Sequence, residues 1–434
     1  MEEHLVIVVV AAFILGFALI SGRLKTTVIT PPMIFVTFGL LIGPSLFGVV
    51  DAEIESDVIN FIAELTLILI LFTDASRIDL KLLRLEHDIP IRLLVIGLPL
   101  TMVAGALVGA ILFDALTFWE AVLLAIILAP TDAALGQAVV SSPQVPVRIR
   151  QALNVESGLN DGIALPVLLF FIAVAISAEN IGQGYWLQFA AAQIILGPIV
   201  GVAVAYVGGR LVKWSEDRGW VDEAFQKLVA LGLALLAFAL AELVGGNGFI
   251  AAFCAGITLG NLFGNVCSRL YEFIEAEGQL LALITFMIYG SVMVMPALEQ
   301  ISWPVLLYAV LSLTIVRLGP VALSLTGMGL RPETILFLGW FGPRGIASII
   351  YGLILVEEEA LPGREILFNV MVVTVLLSIF AHGLTAVPAA NAYGAHAESM
   401  KEKPDVPEMK QVGQMPVRVR FQKQPPSPVD RQPN

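Results

Sequence analysis

The sequence has few charged residues: Asp, Glu, Lys and Arg make up only 14% of its 434 residues, where soluble domains carry about 25%. Apolar residues make up 58%, and the mean hydropathy is +0.88. A soluble domain has no interior large enough for so much apolar surface, which excludes a soluble enzyme, a nucleic-acid-binding protein and a disordered chain. The apolar runs are continuous, whereas the strands of a transmembrane β-barrel alternate. The composition therefore predicts an all-α polytopic membrane protein.

Cysteine and histidine are also scarce. The two cysteines, Cys254 and Cys267, and the four histidines match no metal-ligand spacing. Because the sequence also lacks a nucleotide-binding loop and a cofactor motif, we expect neither an enzyme nor a bound cofactor. The residues before the first apolar run, Met1 to His4, lack the basic stretch of a signal peptide, so we expect that run to be a retained membrane span.

Apolar runs separated by charged or Gly/Pro-rich loops predict thirteen transmembrane helices. They lie at about residues 5–20, 28–48, 58–73, 91–113, 119–142, 153–177, 187–212, 225–244, 248–265, 280–298, 302–323, 334–355 and 366–389. Basic residues concentrate in the odd-numbered loops, at Arg23, Lys25, Arg77, Lys81, Arg84, Arg148, Arg150, Lys213, Arg218, Arg269 and Arg331. The positive-inside rule makes these loops cytoplasmic, which predicts an outside N-terminus and a cytoplasmic C-terminus. Residues 1–397 form the membrane domain, and the proline-rich residues 398–434 predict a disordered cytoplasmic tail.

The sequence contains an internal repeat. The glycine-rich segment 39–48 in span 2 resembles segment 256–264 in span 9, and spans 4–6 correspond to spans 11–13 at a similar offset. Seven spans separate each pair, and an odd number inverts the second copy across the membrane. We therefore expect two inverted six-helix repeats joined by span 7, an architecture typical of secondary transporters.

Both repeats predict a discontinuous helix. Span 5 contains Pro130, and span 12 contains Gly342 and Pro343, where proline removes a backbone donor and glycine tolerates irregular backbone. A charged residue accompanies each break, Asp132 in span 5 and Arg344 in span 12. The ends of half-helices carry partial charges, so we expect Asp132 to offset a positive N-terminal end and Arg344 a negative C-terminal end.

The start of span 6 carries a group of polar residues at helical spacing. Ser157 and Asp161 share one helix face and offer a hydroxyl and a carboxylate, which are oxygen ligands suited to an alkali cation. Glu156 and Asn160 form a second pair about 100° around the helix. Arg317 in span 11 is the predicted ion-pair partner of Glu156, because each charge is costly alone in a membrane.

Four segments of the sequence together resemble a known family: residues 156–162, 129–132, 342–345 and 382–385. They resemble the sodium/proton antiporters of the cation:proton antiporter-1 family, most of all the prokaryotic members, over about residues 5–390. The resemblance implies a core domain of spans 4–6 and 11–13 that crosses at the two broken helices. It also implies a dimerisation domain of spans 1–3 and 8–10, with span 7 as linker, and hence a homodimer.

The resemblance also implies a ligand set for the transported cation. The family binds Na+ with the equivalents of Asp161, Asp132, Ser157 and the main-chain carbonyl of Thr131. An acidic residue at the end of span 3 joins them. Here that residue is Asp74, whose shorter side chain leaves direct ligation and a bridging water as alternatives. The Asn160–Asp161 sequence is similar to the electroneutral branch, with Asn160, Glu156, Arg317 and Arg344 in structural or charge-compensating roles.

These observations predict a secondary active antiporter of the plasma membrane that exchanges Na+, and also Li+, for H+. Cation and proton would compete for one carboxylate site, and the core would move against the dimer domain. We expect membrane lipids as partners and no nucleic acid. A potassium/proton antiporter is the first alternative. A cation channel is the second, and the paired helix breaks and the single ligand cluster disfavour it.

Overall fold

The computed structural model describes residues 2–24, 27–50, 57–85, 88–179, 183–263, 278–398 and 407–410. We number the main helices as α1 (Glu2–Leu24), α2 (Pro31–Ile42), α3 (Asp57–Ser76), α4 (Asp88–Leu112), α5 (Phe118–Ile127), α6 (Ala133–Val140), α7 (Val147–Glu179), α8 (Gln183–Glu216), α9 (Glu223–Leu243), α10 (Gly248–Leu262), α11 (Gly278–Glu299), α12 (Trp303–Ser324), α13 (Pro332–Trp340), α14 (Ile346–Val356) and α15 (Arg364–Glu398). A short helix, Leu80–Leu85, follows α3. Arg269 and Cys267 lie outside the described residues.

The helices are those of a membrane protein by length and composition. In the described part of the chain, eight are long and apolar enough to cross a bilayer: α1, α3, α4, α7, α8, α11, α12 and α15. The helices α2, α5, α9, α10 and α14 are apolar but shorter. Each of the predicted spans contains at least one helix, and the number of membrane crossings stays a prediction.

Two of the predicted spans are each divided into two helices. In span 5, α5 ends at Ile127 and α6 begins at Ala133, with Pro130 between them. In span 12, α13 ends at Trp340 and α14 begins at Ile346, with Pro343 between them. The helices therefore break where the sequence places proline, which lacks the amide hydrogen that a continuous helix needs.

The helices pack into two groups. In one group, α4, α5, α6 and α7 pack with α12, α13, α14 and α15, so the two broken pairs lie within it. In the other, α2 packs on α11, and α3, α8 and α9 pack on α10. Five helices of the second group also contact the first group. Helices α3, α8 and α10 contact α7, α3 also contacts α14, and α2 and α11 contact α15.

Small residues allow two helix pairs of the second group to approach closely. Gly39 of α2 and Gly43, the residue after α2, lie against the backbone of α11, and Gly256 and Gly260 of α10 lie against the backbone of α3. A Cβ atom at any of these four glycines would overlap a backbone carbonyl oxygen of the facing helix. The two glycine-rich segments that resemble each other in the sequence therefore make the same kind of contact.

The structure differs from the predicted disordered tail at one short segment. Residues Pro407–Met409 form a turn of 3-10 helix, and the side chain of Glu408 is completely buried. The prediction of disorder is wrong for this segment, because Glu408 finds hydrogen-bond donors on α13 that the local composition does not reveal. Residues 399–406 and 411–434 of the tail lie outside the described residues.

Candidate cation site at the crossing of two broken helices

A single carboxylate caps two helix N-termini at the centre of the first group. The Oδ1 atom of Asp132 accepts hydrogen bonds from the backbone N–H of Ala134 at 2.6 Å and of Leu135 at 3.1 Å, at the start of α6. Its Oδ2 atom accepts a 2.7 Å hydrogen bond from the backbone N–H of Ile346, the first residue of α14. The predicted role of Asp132 beside a positive helix end thus extends to both broken helices.

The two breaks contact each other directly. The backbone N–H of Asp132 donates to the carbonyl oxygen of Pro343 at 2.7 Å. A Cβ atom on Gly345 would overlap the Asp132 carboxylate, and one on Gly342 would lie 3.0 Å from the Thr131 methyl group. Glycine is therefore needed at 342 and 345 to let the second break approach the first.

Side chains also satisfy the carbonyl ends of the two broken helices. The Ser348 hydroxyl donates to the carbonyl oxygen of Ile127 at the end of α5, at 2.8 Å. Nε2 of His382 lies 2.9 Å from the carbonyl oxygen of Trp340 at the end of α13. Arg344 donates from Nη1 to the carbonyl oxygen of Gly342 at 2.8 Å, so its guanidinium meets a carbonyl within the break. Every one of these contacts supplies a partner for backbone that the break releases from helical hydrogen bonding.

Helix α7 is fastened to both breaks. The Asn160 side-chain amide donates to the Thr131 hydroxyl at 2.6 Å, and the Tyr351 hydroxyl of α14 donates to the Asp161 carbonyl oxygen at 2.7 Å. The side chains of Asp161 and Ser157 are buried, at 7% and 6% exposed. The Ser157 hydroxyl lies 3.4 Å from the Asn154 carbonyl oxygen.

The contact predicted between Glu156 and Arg317 is present. Nη2 of Arg317 lies 2.5 Å from Oε1 of Glu156, and the two side chains are 1% and 3% exposed. Gly342 lies against the Arg317 guanidinium, because a Cβ atom there would be only 2.6 Å from Nε. The ion pair thus joins α7 and α12 directly behind the second break.

Asp74 lies at the end of α3, beside α7. A Cβ atom on Gly158 would lie at ordinary packing distance from Asp74, so the end of α3 touches the helix that carries Ser157 and Asp161. Asp74, Arg77 and Asn154 line a small cavity that also reaches Ala133 at the start of α6. Of the predicted cation ligands, Asp74 alone lines this cavity.

The sequence motifs included residues 382–385, but did not assign them a contact. Three polar residues of α15 at positions i, i+4 and i+7 hold the second broken helix. The Ser378 hydroxyl accepts a 2.6 Å hydrogen bond from the backbone N–H of Arg344 and lies 3.1 Å from Nδ1 of His382. The Thr385 hydroxyl accepts a 3.0 Å hydrogen bond from the indole N–H of Trp340. This spacing is visible in the sequence as one polar stripe on an apolar helix. Tyr351, which contacts Asp161, carries no comparable sequence signal.

Comparisons with known proteins agree on one family. The family model described as "Sodium/hydrogen exchanger, transmembrane" matches residues 8–392. The chain is 27% identical over 374 residues to the K+/H+ antiporter NhaP of Alkalimonas amylolytica, covering 86% of this chain and 63% of that protein. It is 25% identical over 425 residues to a Na+/H+ antiporter of Schizosaccharomyces pombe, covering 88% and 89% of the two chains.

The fold also matches a solved structure. The sodium proton antiporter MjNhaP1 of Methanocaldococcus jannaschii, at pH 8, superposes with a TM-score of 0.71 and 22% sequence identity, covering 90% of this chain and 99% of that one. The chain spans about two thirds of the length of the NhaP relative, at 63%. The family model covers far more than half of the chain, and the chain therefore belongs to the sodium/hydrogen exchanger family.

Proposed function

We propose that the protein is a secondary active antiporter that exchanges Na+ for H+ across the plasma membrane. The transported cation is held by Asp161 and Asp132, by the Ser157 hydroxyl and by the main-chain carbonyl of Thr131. Asp74 completes the set from the end of α3, directly or through a water molecule. The protein uses no cofactor, and Na+ is the substrate.

The observation that carries this proposal is the balance of buried charge around the crossing. Four carboxylates and three guanidiniums around the crossing are less than 9% exposed: those of Asp74, Asp132, Glu156 and Asp161, and those of Arg77, Arg317 and Arg344. Their formal charges sum to one negative charge, and a net buried charge is costly in a membrane. One Na+ or one proton neutralises the site equally well. This equality supports electroneutral exchange of one cation for one proton.

The hydrogen bonds indicate different roles for Asp132 and Asp161. A carboxylate offers about four acceptor sites, and backbone N–H groups take three of those of Asp132. One acceptor site of Asp132, on Oδ2, then remains to contact the ion. Asp161 is the residue that exchanges cation for proton. Hydroxyl and carbonyl oxygens supply the remaining ligands, as suits a weakly held alkali ion.

We infer that the chain moves the ion by alternating access. The site lies where two broken helices cross, and the helix group that contains them contacts the second group mainly through three of its eight helices, α7, α14 and α15. The core of predicted spans 4–6 and 11–13 moves against the dimer domain when its charge is neutral. It carries either the cation or the proton in each crossing.

The glycine contacts support the inverted-repeat architecture. Predicted spans 2 and 3 correspond to spans 9 and 10 in the repeat, and α2 packs on α11 just as α10 packs on α3. The glycine-rich helix of each repeat thus packs against a helix of the other repeat. We propose thirteen spans, an outside N-terminus, a cytoplasmic C-terminus and a homodimer built on the second helix group.

Potassium/proton exchange is the second candidate, because the relative from Alkalimonas amylolytica is named a K+/H+ antiporter. A dequenching assay in proteoliposomes with Na+, Li+ and K+ at several pH values separates the two candidates. We expect Na+ and Li+ to dissipate the proton gradient and K+ to have little effect on it. A response to K+ alone selects the second candidate.

The same assay tests the site. Asp161→Ala is expected to abolish exchange, whereas Glu299→Gln, at an exposed end of α11, leaves it unchanged. An imposed membrane potential should not change the rate. Full activity of the Asp161 variant, or a cation current without a pH gradient, would contradict antiport at this site.

A further inference from the structure

The described residues of the C-terminal tail, 407–410, contact the membrane domain. Glu408 is 0% exposed although it lies among charged and proline residues. Its Oε1 atom accepts a hydrogen bond from the backbone N–H of Arg331 at 2.8 Å and one from the Thr334 hydroxyl at 3.1 Å. Both donors belong to the N-terminus of α13, so the tail carboxylate occupies the place of a helix cap.

Helix α13 needs this cap because its own residues do not supply one. Its N-cap residue is Arg331, which makes no side-chain hydrogen bond of the capping kind. The corresponding helix of the other broken pair, α5, has a complete capping box in which Thr117 and Glu120 each accept from the backbone N–H of the other. One broken helix is thus capped locally, and the other by a residue more than seventy positions away in the sequence.

Further contacts hold the tail segment in place. Arg148 at the start of α7 donates from Nη1 to the carbonyl oxygen of Pro407, and its Nη2 lies 3.6 Å from the Asp88 carboxylate. Thr334, which donates to Glu408, also lies 2.9 Å from the hydroxyl of Tyr393 in α15. The segment therefore joins α7 to α13, and Thr334 of α13 is in turn joined to α15. All three helices belong to the group that contains the cation site.

We propose that Glu408 is a positioning residue for transport, because it caps α13 and so fixes the helix that leads into the second break. The far end of α13 continues into residues 341–345, which contact Asp132 and Arg317. A negative charge at the start of α13 also offsets the positive end of that helix. Residues 407–410 are accordingly part of the transporter core and not of a dispensable tail. This inference rests on the proposed cation exchange.

Exchange kinetics of the full-length protein in proteoliposomes test the proposal. Glu408→Ala should raise the apparent KM for Na+ about three- to tenfold, the range expected for loss of one helix cap, with a smaller effect on the maximal rate. Glu408→Gln keeps an acceptor oxygen and should restore most of the affinity. Glu299→Ala, the same change at an exposed position at the end of α11, is the matched control and should resemble the wild type.

The outcomes separate this inference from the proposed function. An inactive wild-type protein contradicts cation exchange itself, whereas an active wild type whose KM is unchanged by Glu408→Ala contradicts only the positioning role. A fall in maximal rate at unchanged KM also contradicts it, since that pattern reports loss of folded protein.

Hydrogen exchange provides a readout that does not depend on transport. In Glu408→Ala, amide exchange at the start of α13 should accelerate about tenfold, while the start of α5 stays as in the wild type. The double variant Thr334→Val/Glu408→Ala should accelerate amide exchange by less than the two single effects combined, because both changes remove the same hydrogen bond. Equal exchange rates in wild type and variant would overturn the assignment even if a variant transports poorly.

Discussion

The Asp132 carboxylate accepts a 2.7 Å hydrogen bond from the backbone N–H of Ile346, more than two hundred residues away in the sequence. Its other oxygen caps its own helix, α6. One side chain thus joins the N-terminal ends of two half-helices, where the backbone N–H groups point towards it. The crossing is held together by the residue that also faces the proposed cation.

Asp132→Asn is expected to weaken the crossing, because an amide offers one acceptor oxygen where the carboxylate offers two. One helix end then faces an NH2 group, and the loss of a cap costs about 0.5–2 kcal/mol. We expect a lower melting temperature in detergent and strongly reduced exchange. Asp132→Ala should lower the melting temperature further. Equal melting temperatures for all three proteins would show that the shared cap does not stabilise the fold.

Removal of one partner of the Glu156–Arg317 pair should be more harmful than removal of both. Glu156→Gln leaves the Arg317 guanidinium buried without its carboxylate, which costs about 3–5 kcal/mol. The double variant with Arg317→Met removes the unpaired charge and should regain part of the stability. Thermal unfolding of the three variants checks this order, with Glu299→Gln as the exposed control. A double variant less stable than both single variants would refute a dominant charge-pairing role.

His382 is expected to hold the second break in position. Its Nε2 atom meets the Trp340 carbonyl, and its Nδ1 atom meets the Ser378 hydroxyl that accepts from the Arg344 N–H. His382→Ala removes one hydrogen-bond partner from each of these groups, and the loss of a hydrogen bond costs about 0.5–1.5 kcal/mol. Hydrogen exchange of residues 340–346 should accelerate. His4→Ala on the exposed side of α1 is the control, and an identical exchange pattern in both variants would exclude this role.

The loop between α14 and α15 predicts a dependence of stability on pH. Burial raises the pKa of the Glu358 carboxyl above its ordinary value, and the neighbouring Glu357 carboxylate raises it further. A raised pKa in the folded state means that Glu358 favours folding while it is protonated and opposes folding after it ionises. Stability should therefore fall as the pH rises through that pKa.

Glu358→Gln should remove this loss and melt at a higher temperature than the wild type at pH 7.5. At pH 4 the two proteins should melt at nearly the same temperature. Glu359→Gln, which changes the adjacent exposed side chain, should melt at the same temperature as the wild type at both pH values. A variant whose advantage is the same at both pH values would show that ionisation of Glu358 is not the cause.

Several parts of the site could be predicted because their signals are local in the sequence. Pro130 and Pro343 each lie within an apolar run, beside a charged residue, and helices end on either side of them. Proline lacks the amide hydrogen of a continuous helix, although Pro166, Pro198 and Pro388 lie inside continuous helices. The contact between Glu156 and Arg317 could also be predicted, because a charge inside an apolar helix needs a partner and few residues qualify.

Other parts could not be predicted because they depend on distant segments meeting. The second capping role of Asp132 requires the position of Ile346, and spacing along the chain carries no information about that distance. The polar, proline-rich neighbours of Glu408 predict disorder, yet α13 supplies hydrogen bonds to Glu408 and α7 supplies one to Pro407. The π-helical turns at Leu93–Gly97 and Tyr289–Met293 also leave no clear sequence signal.

In the proposed mechanism, a cation and a proton compete for Asp161. The direct measurement is the apparent KM for Na+ of the full-length protein in proteoliposomes, determined across a range of pH. On the acidic side the KM should rise about tenfold for each unit that the pH falls, by mass action at one shared site, while the rate at saturating Na+ stays nearly constant. A KM that does not change with pH, with a maximal rate that falls instead, would contradict competition at this carboxylate.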